Sequence, residues 1–240
     1  MSNSTKLWSV LISFVIFSTG CKKEIIEEPE FNAQFLRSSK SGVEAPTSKQ
    51  FKMSAKTWYR VTPTALADVP GLQGQLAFAN IPGAGSGTAT NMGNVGMWFN
   101  QRAFSPNGQN PQAGTVAAPL AEACTYSETA KGGPLPALQP DDLRTLHTLN
   151  NWLQIPATVS GKLVWFVVYN QGGDAIFLSR STPSFDVNES ATRTSFTAEG
   201  TFVGGRGKFE NASGTYQLTG FYNPEDPNDG GIIIDGEISY

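Results

Sequence analysis

Phe51-Lys52-Met53-Ser54-Ala55-Lys56-Thr57-Trp58-Tyr59-Arg60-Val61 is the stretch on which the fold class turns. In an extended chain Phe51, Met53, Ala55, Thr57, Tyr59 and Val61 share one face, and Lys52, Ser54, Lys56, Trp58 and Arg60 share the other. A period of two with one mostly apolar and one charged face predicts a strand buried on one side. The closing segment repeats the pattern, with Ile232, Ile234, Gly236, Ile238 and Tyr240 set against Ile233, Asp235, Glu237 and Ser239. Between them lie further strand candidates at about 73–81, 87–103, 161–170, 174–181, 195–203 and 213–222. Gln171-Gly172-Gly173-Asp174 joins two of these and supplies the positive φ angles of a tight hairpin. Eight strands with mostly short turns predict a mainly β domain over 51–240, an antiparallel barrel or a sandwich. Closure into a barrel would remove the sticky edges.

Composition agrees. The 240 residues include 25 Gly and 15 Pro without a fixed period, which points to turns and short strands rather than a helical bundle. The net charge of −3 gives no electrostatic footprint for nucleic acid. One histidine rules out a multi-histidine metal site within the chain, and two cysteines rule out a four-cysteine zinc site or a disulfide-rich scaffold.

Two parts of the chain depart from this pattern. The segment 104–160 reads as an insertion: a Pro, Gly and Ala-rich loop over about 104–139, then a helix. Pro140-Asp141-Asp142 opens that helix as proline and acids do, and Leu146, Leu149 and Leu153 recur at helical spacing. The strand at 161–170 (GKLVWFVVYN) is apolar on both faces, so its outer side needs a cover, either the inserted helix or a neighbouring subunit.

At the N-terminus, Lys6 precedes an apolar run of eleven residues, Leu7 to Phe17. That is too short for a bilayer core of roughly 30 Å but suits the apolar region of an export signal. Ser18-Thr19-Gly20-Cys21 follows and resembles the lipobox of bacterial lipoproteins. The resemblance implies cleavage after Gly20 and acylation of Cys21, leaving residues 1–20 as signal peptide; two or more acyl chains anchor a protein stably. An ordinary secretory signal with a chance cysteine is the alternative. Lys22, Lys23, Glu24, Glu27 and Glu28 resemble the start of many Bacteroidota lipoproteins, which implies an outer-membrane location in the cell envelope, on the periplasmic or the surface face. Residues 21–50 are polar, with Pro29 and Pro46 and the run Ser38-Ser39-Lys40-Ser41-Gly42, and read as a flexible tether.

Phe202-Val203-Gly204-Gly205-Arg206-Gly207-Lys208-Phe209-Glu210-Asn211-Ala212-Ser213-Gly214 resembles the glycine-rich run of allene oxide cyclase and dirigent barrels. A similar run recurs in secreted bacterial proteins that often carry a G-x-G-x-A-T-H-x-G stretch near their start. Gly85-Ser86-Gly87-Thr88-Ala89-Thr90-Asn91-Met92-Gly93 is similar to that stretch, with Asn91 where the histidine usually sits. Gly173-Asp174-Ala175-Ile176-Phe177 and Gly236-Glu237-Ile238-Ser239-Tyr240 extend the resemblance, which leaves out 104–160. It implies an eight-stranded, calycin-like barrel and, in that family, frequent trimers.

Candidate chemistry is sparse. His147 is the one imidazole and reads as a solvated or capping residue of the predicted helix. Cys124 has no partner if Cys21 is acylated, and is either buried and inert or a reactive thiol. Asn223 to Gly231 gathers Glu225, Asp226, Asn228 and Asp229. Asp226, Asn228 and Asp229 make a weak calcium candidate, since the spacing is not that of an EF-hand and an acidic hairpin loop explains the same residues. Gly83-Ala84-Gly85-Ser86-Gly87 lacks a P-loop lysine. The arginines at 60, 102, 144, 180, 193 and 206 form no cluster in sequence. No catalytic residue and no cofactor emerge. Trp58, Tyr59, Trp98, Phe99, Trp165, Phe166 and Phe177 fall in predicted strands; a small barrel either fills its interior with such rings or holds one ligand in its mouth.

These readings converge on a non-catalytic, lipid-anchored barrel. It would bind a small apolar ligand in the lumen, or a protein or glycan through 104–160. The competing readings are a cyclase or dirigent-like enzyme working in the cavity, and a structural protein whose barrels associate as homo-oligomers.

Overall fold

The computed structural model describes residues 47–123 and 154–240. The expected export signal, Cys21, nearly all of the expected tether, Cys124, His147 and the helix expected at 140–153 lie outside the described residues. The quoted stretch forms β1 (Lys49–Tyr59), whose burial alternates strictly from Phe51 to Thr57. It is followed by β2 (Thr62–Asp68), β3 (Leu76–Ala89), β4 (Gly93–Ser105) and β5 (Gly114–Ala117). After the undescribed segment come the two-residue strands β6 (Thr158–Val159) and β7 (Lys162–Leu163), then β8 (Phe166–Tyr169) and β9 (Ala175–Ser179). The chain ends with β10 (Ser184–Ser190), β11 (Arg193–Arg206), β12 (Ser213–Tyr222) and β13 (Gly230–Ser239).

β1, β3, β4, β8, β9, β11, β12 and β13 pair antiparallel in that order, and β13 pairs back to β1. The chain is therefore a closed eight-stranded antiparallel barrel, which leaves no unpaired edge in the ring itself. Part of its wall is forked. β4 pairs with β8 over Gly96–Phe99 and with β5 over Gln101–Phe104. β11 likewise pairs with β10 near its start and with β9 near its end. Since β5 also pairs with β10, the pair β8–β9 closes the wall at one end and β5–β10 closes it at the other.

Asn100 sits at the fork. Its amide N–H donates to the Trp165 carbonyl at 2.8 Å, its carbonyl accepts from Ala118 at 3.1 Å, and its side-chain amide donates to the Pro119 carbonyl at 2.8 Å. One residue thus ties both branches of the wall to β4.

The high glycine and aromatic contents have a common cause. Gly83 pairs across strands with Phe99, Gly96 with Tyr169, Gly200 with Tyr216, and Gly220 with Phe196. A Cβ at any of these glycines would run into its partner's ring. Each ring therefore covers the flat backbone of a glycine on the next strand, an arrangement that regains packing where glycine offers none. In the run that resembles the cyclase and dirigent barrels, Gly204, Gly207 and Gly214 adopt φ of 130°, 61° and 132°, where β11 bulges and turns into β12. Asn91 has φ 63° in the β3–β4 turn, a conformation asparagine tolerates better than most residues.

One end of the lumen is filled. Phe51, Met53, Met97, Phe166, Ile176, Leu178, Phe209 and Ile238 are buried there. Phe202 meets Phe51 edge-on at 5.2 Å and Tyr216 at 5.5 Å. Outside the barrel, Lys52, Lys56, Gln217, Asp235 and Glu237 are exposed on β1, β12 and β13. Apolar inside and polar outside is the reverse of a membrane-spanning barrel on these strands. Among the described residues no helix is long and apolar enough to cross a membrane.

Several boundaries differ from the sequence reading. The expected strands 73–81 and 87–103 are β3 and β4, with the turn shifted to about Thr90–Met92. Residues 114–117, placed in a loop insertion, form β5 and belong to the barrel wall, so the insertion cannot start at 104. Short 3-10 turns lie at Leu120–Glu122 and Gly207–Phe209. The doubly apolar strand finds its cover within the chain: Val167 and Val164 pack on the outside of the barrel against Leu120, Ala123 and Ile155. Trp58, Trp98 and Phe177 belong to that outer cluster, whereas Tyr59, Phe99, Trp165 and Phe166 face the lumen.

Candidate functional site: an aromatic cavity in the open end of the barrel

At the end closed by β5 and β10 the lumen is not filled. A cavity of about 570 Å³ lies there, between Leu218 and Ile232 at its floor and a mouth ringed by the exposed residues Asn110, Pro111, Asn188 and Pro224. Such a volume and an aromatic lining are typical of sites that bury a small molecule. β1 supplies Thr57 and Tyr59, β4 supplies Phe99 and Gln101, and β11 and β12 supply Thr194, Phe196 and Tyr222. The barrel's alternation points each of them inward.

β10 supplies the polar group, through an inverted pattern. Ser184 is buried and Asp186 half-buried on the inner face, while Phe185 and Val187 are 56% and 61% exposed on the outer face. A strand whose polar residues point into a lumen cannot be recognised by looking for an apolar inner face. Asp186 Oδ2 accepts hydrogen bonds from the Tyr222 hydroxyl at 2.7 Å and from the Gln112 side-chain amide at 2.6 Å. That amide also donates to the Tyr222 hydroxyl oxygen at 3.0 Å. The Asp186 backbone N–H donates to the Ala113 carbonyl at 3.0 Å, which fixes the carboxylate over the cavity.

Electrostatics follow from burial. Withdrawal from water pushes the Asp186 carboxyl above its usual range; the bonds from Gln112 and Tyr222 and the charge of Arg180 oppose this only in part. Tyr59 is pushed up to about 12 by burial and by the nearby charges of Asp226 and Asp186. Tyr222 is raised further, by burial and by Asp186, so both phenols are neutral donors at physiological pH.

The raised Asp186 sets a sign for stability. Between the unfolded and folded ionisation ranges the folded chain holds the proton that the unfolded chain has released, so stability falls as pH rises through them. Asp186→Asn lacks that loss. Its stability relative to the unsubstituted protein is expected to increase between about pH 4 and pH 7, read from urea midpoints at both; a relative decrease contradicts the assignment.

Arg180 is a buried ion in the wall beside the cavity. It follows β9, is 4% exposed, and its guanidinium lies over the Trp165 ring at 4.4 Å. Nη2 donates to Thr115 Oγ1 at 3.3 Å, while Nε and Nη1 are buried without a hydrogen-bond partner. Burial pulls its pKa down to about 10, with Tyr216 and Asp186 acting the other way, so it stays charged at neutral pH. The Trp165 indole N–H donates to the Tyr216 hydroxyl at 3.1 Å, and that hydroxyl donates to the Ser179 carbonyl at 3.1 Å. Arg180 and Trp165 plug the fork between the two halves of the wall.

The residues singled out in the sequence lie elsewhere. In the loop between β12 and β13, Asp226 Oδ1 accepts from the Asn228 backbone N–H at 2.9 Å and Asp229 Oδ2 from the Asn223 side chain at 3.2 Å. These carboxylates hold the loop's own turns, and among the described residues no group of three or more acidic, histidine or cysteine side chains converges as metal ligands would. The same loop seats the mouth: Tyr59 N–H donates to the Pro227 carbonyl at 2.9 Å, and the Tyr59 hydroxyl to the Asn223 carbonyl at 3.1 Å. Gly83, Gly85 and Gly87 lie within β3, not in a phosphate-binding loop. Cys21, Cys124 and His147 lie outside the described residues. Compared with known proteins, the chain matches no family model, no curated protein and no solved structure.

Proposed function

We propose that this chain is a lipid-anchored protein of the bacterial cell envelope whose barrel binds a small, mainly apolar molecule in the open half of its lumen. The observation that carries the reading is the cavity of about 570 Å³, lined mainly by aromatic and aliphatic side chains, beside a fully packed half that holds the barrel together. The packed half gives a rigid wall, so the site is preformed and a ligand pays little ordering cost on binding. The glycine run at 202–214 supports kinship with allene oxide cyclase and dirigent barrels, and Ser18 to Cys21 supports the anchor in the outer membrane.

Titration with the neutral fluorophore N-phenyl-1-naphthylamine tests the cavity. Saturable, one-to-one enhancement is the expected result, and a linear, unsaturable signal contradicts it. The anchor is tested separately. Cys21→Ser is expected to shift the protein from the membrane fraction to the soluble fraction, and retention in membranes would sink the lipoprotein reading.

An enzyme of the cyclase or dirigent type is the second reading, favoured by the Tyr222–Asp186 hydrogen bond inside an apolar lumen. Recovery of the cavity's ligand unchanged after prolonged incubation favours binding; its conversion favours catalysis. The third reading, a structural protein whose barrels associate as homo-oligomers, draws on the frequent trimers of the resembled family; the outer face of the strand at 161–170, its suggested contact, is packed within the chain.

A further inference from the structure

We infer that the cavity selects an organic cation: an apolar body carrying an ammonium group, seated with the ammonium between Asp186 and the rings of Tyr59, Phe196 and Tyr222. The inference deepens the binding function proposed above and rests on it.

Three observations converge. First, Asp186 is the only charged side chain among the described residues lining the cavity. Both hydrogen bonds to its carboxylate fall on Oδ2, and among the described residues Oδ1 accepts none, which leaves an acceptor for a ligand's N–H or a counter-charge for a quaternary nitrogen. Second, aromatic rings stand beside it. Tyr222 meets Tyr59 edge-on at 5.5 Å and Phe196 at 6.3 Å, and its hydroxyl touches the carboxylate. A cation over such rings is held by their quadrupoles, more strongly where water is excluded, and a neutral or anionic head gains nothing equivalent. Third, of the two buried arginines among the described residues, Arg60 and Arg180, neither lines the cavity; Arg60 is bonded to the Tyr59 carbonyl at 2.7 Å and to Asn228 Oδ1 at 3.2 Å. The two unpartnered nitrogens of Arg180 are buried in the wall with essentially no exposed surface, its third nitrogen is bonded to Thr115, and its face is covered by Trp165. A ligand in the cavity meets the carboxylate and the rings, not the guanidinium.

Three probes with one apolar cage and different heads decide the matter: 1-adamantylamine, as its ammonium ion, 1-adamantanol and adamantane-1-carboxylate. Their affinities are measured by calorimetry on the full chain at neutral pH. The ammonium is expected to bind at least about tenfold more tightly than the alcohol, and the carboxylate weakest of the three. Asp186→Asn is expected to erase the ammonium's advantage over the alcohol, and a cooperative urea transition shows that the variant is folded. An ammonium no tighter than the alcohol, or an advantage that survives Asp186→Asn, overturns the inference and leaves cavity binding intact. A carboxylate that binds tightest, with the advantage lost in Arg180→Met, overturns it in favour of an anion site. None of the three binding while N-phenyl-1-naphthylamine still does overturns the inference alone. Failure of that fluorophore as well removes the binding function beneath it.

Discussion

Phe202→Ala is expected to lower the unfolding free energy by about 3–5 kcal/mol, the cost of emptying a large aromatic site in a packed interior. Phe202 is 2% exposed and holds the filled half together through Phe51 and Tyr216. The surrounding strands close on themselves, so they cannot collapse freely into the void, which places the cost toward the upper end of that range. The loss appears as a shift in urea midpoint with an unchanged slope. Binding in the open half draws on Tyr59, Phe196 and Tyr222, so the surviving folded protein is expected to keep its affinity for N-phenyl-1-naphthylamine within about twofold. A cost below about 1 kcal/mol would mean the end described as filled is not the structural core.

Thr57→Trp has the opposite profile. Thr57 is 7% exposed, points inward from β1 and lines the cavity, so an indole at this position enters the space a ligand would use. Affinity for N-phenyl-1-naphthylamine is expected to fall at least about tenfold, that is by 1.4 kcal/mol or more. The stability change is expected to stay within about 1–2 kcal/mol, because the indole fills empty volume instead of displacing packed atoms. Unchanged affinity would show that the fluorophore binds elsewhere, on the outer surface or between molecules. Taken with Phe202→Ala, the pair separates the half of the barrel that supports the fold from the half proposed to receive a ligand.

The barrel was legible wherever one side of a strand is apolar and the other polar. β1 and β13 could be read from alternation alone, because Phe51, Met53, Ile232 and Ile234 turn inward from exposed Lys52, Ser54, Ile233 and Asp235. The hairpin at Asn170–Asp174 followed from its glycines, and Gly173 indeed takes φ 89°. The site was not legible, for a physical reason. A lumen that receives a ligand needs polar groups and unfilled space on its inner face, so the strands that build it break the rule by which strands are found. β10 turns Ser184 and Asp186 inward and Phe185 and Val187 outward. β5 is four residues long and sits in a stretch rich in proline, glycine and alanine. Neither carries a strand pattern in sequence, and between them and their flanks they contribute Gln112, Thr115, Asp186 and Asn188 to the cavity.

The aromatic residues divide in the same way. Sequence marks Trp58 and Tyr59 alike as strand aromatics, yet Trp58 packs outside the barrel and Tyr59 inside, because neighbours on a strand point to opposite faces. A glycine-rich composition points to turns, and Gly204, Gly207 and Gly214 are bulge and turn residues. Those at 83, 96, 200 and 220 serve instead as platforms beneath cross-strand rings, a role that depends on register and so on pairings between distant segments. The loop at 223–229, a calcium candidate by composition, spends its carboxylates on its own turns and positions Tyr59 at the mouth.

Native mass spectrometry of the full chain, purified gently from cells that produce it, tests the central claim most directly. The account predicts a stoichiometric population carrying one additional small-molecule mass, lost on collisional activation and absent from the Thr57→Trp variant. A single clean protein mass, unchanged after incubation with excess N-phenyl-1-naphthylamine, would contradict a lumen that takes a ligand.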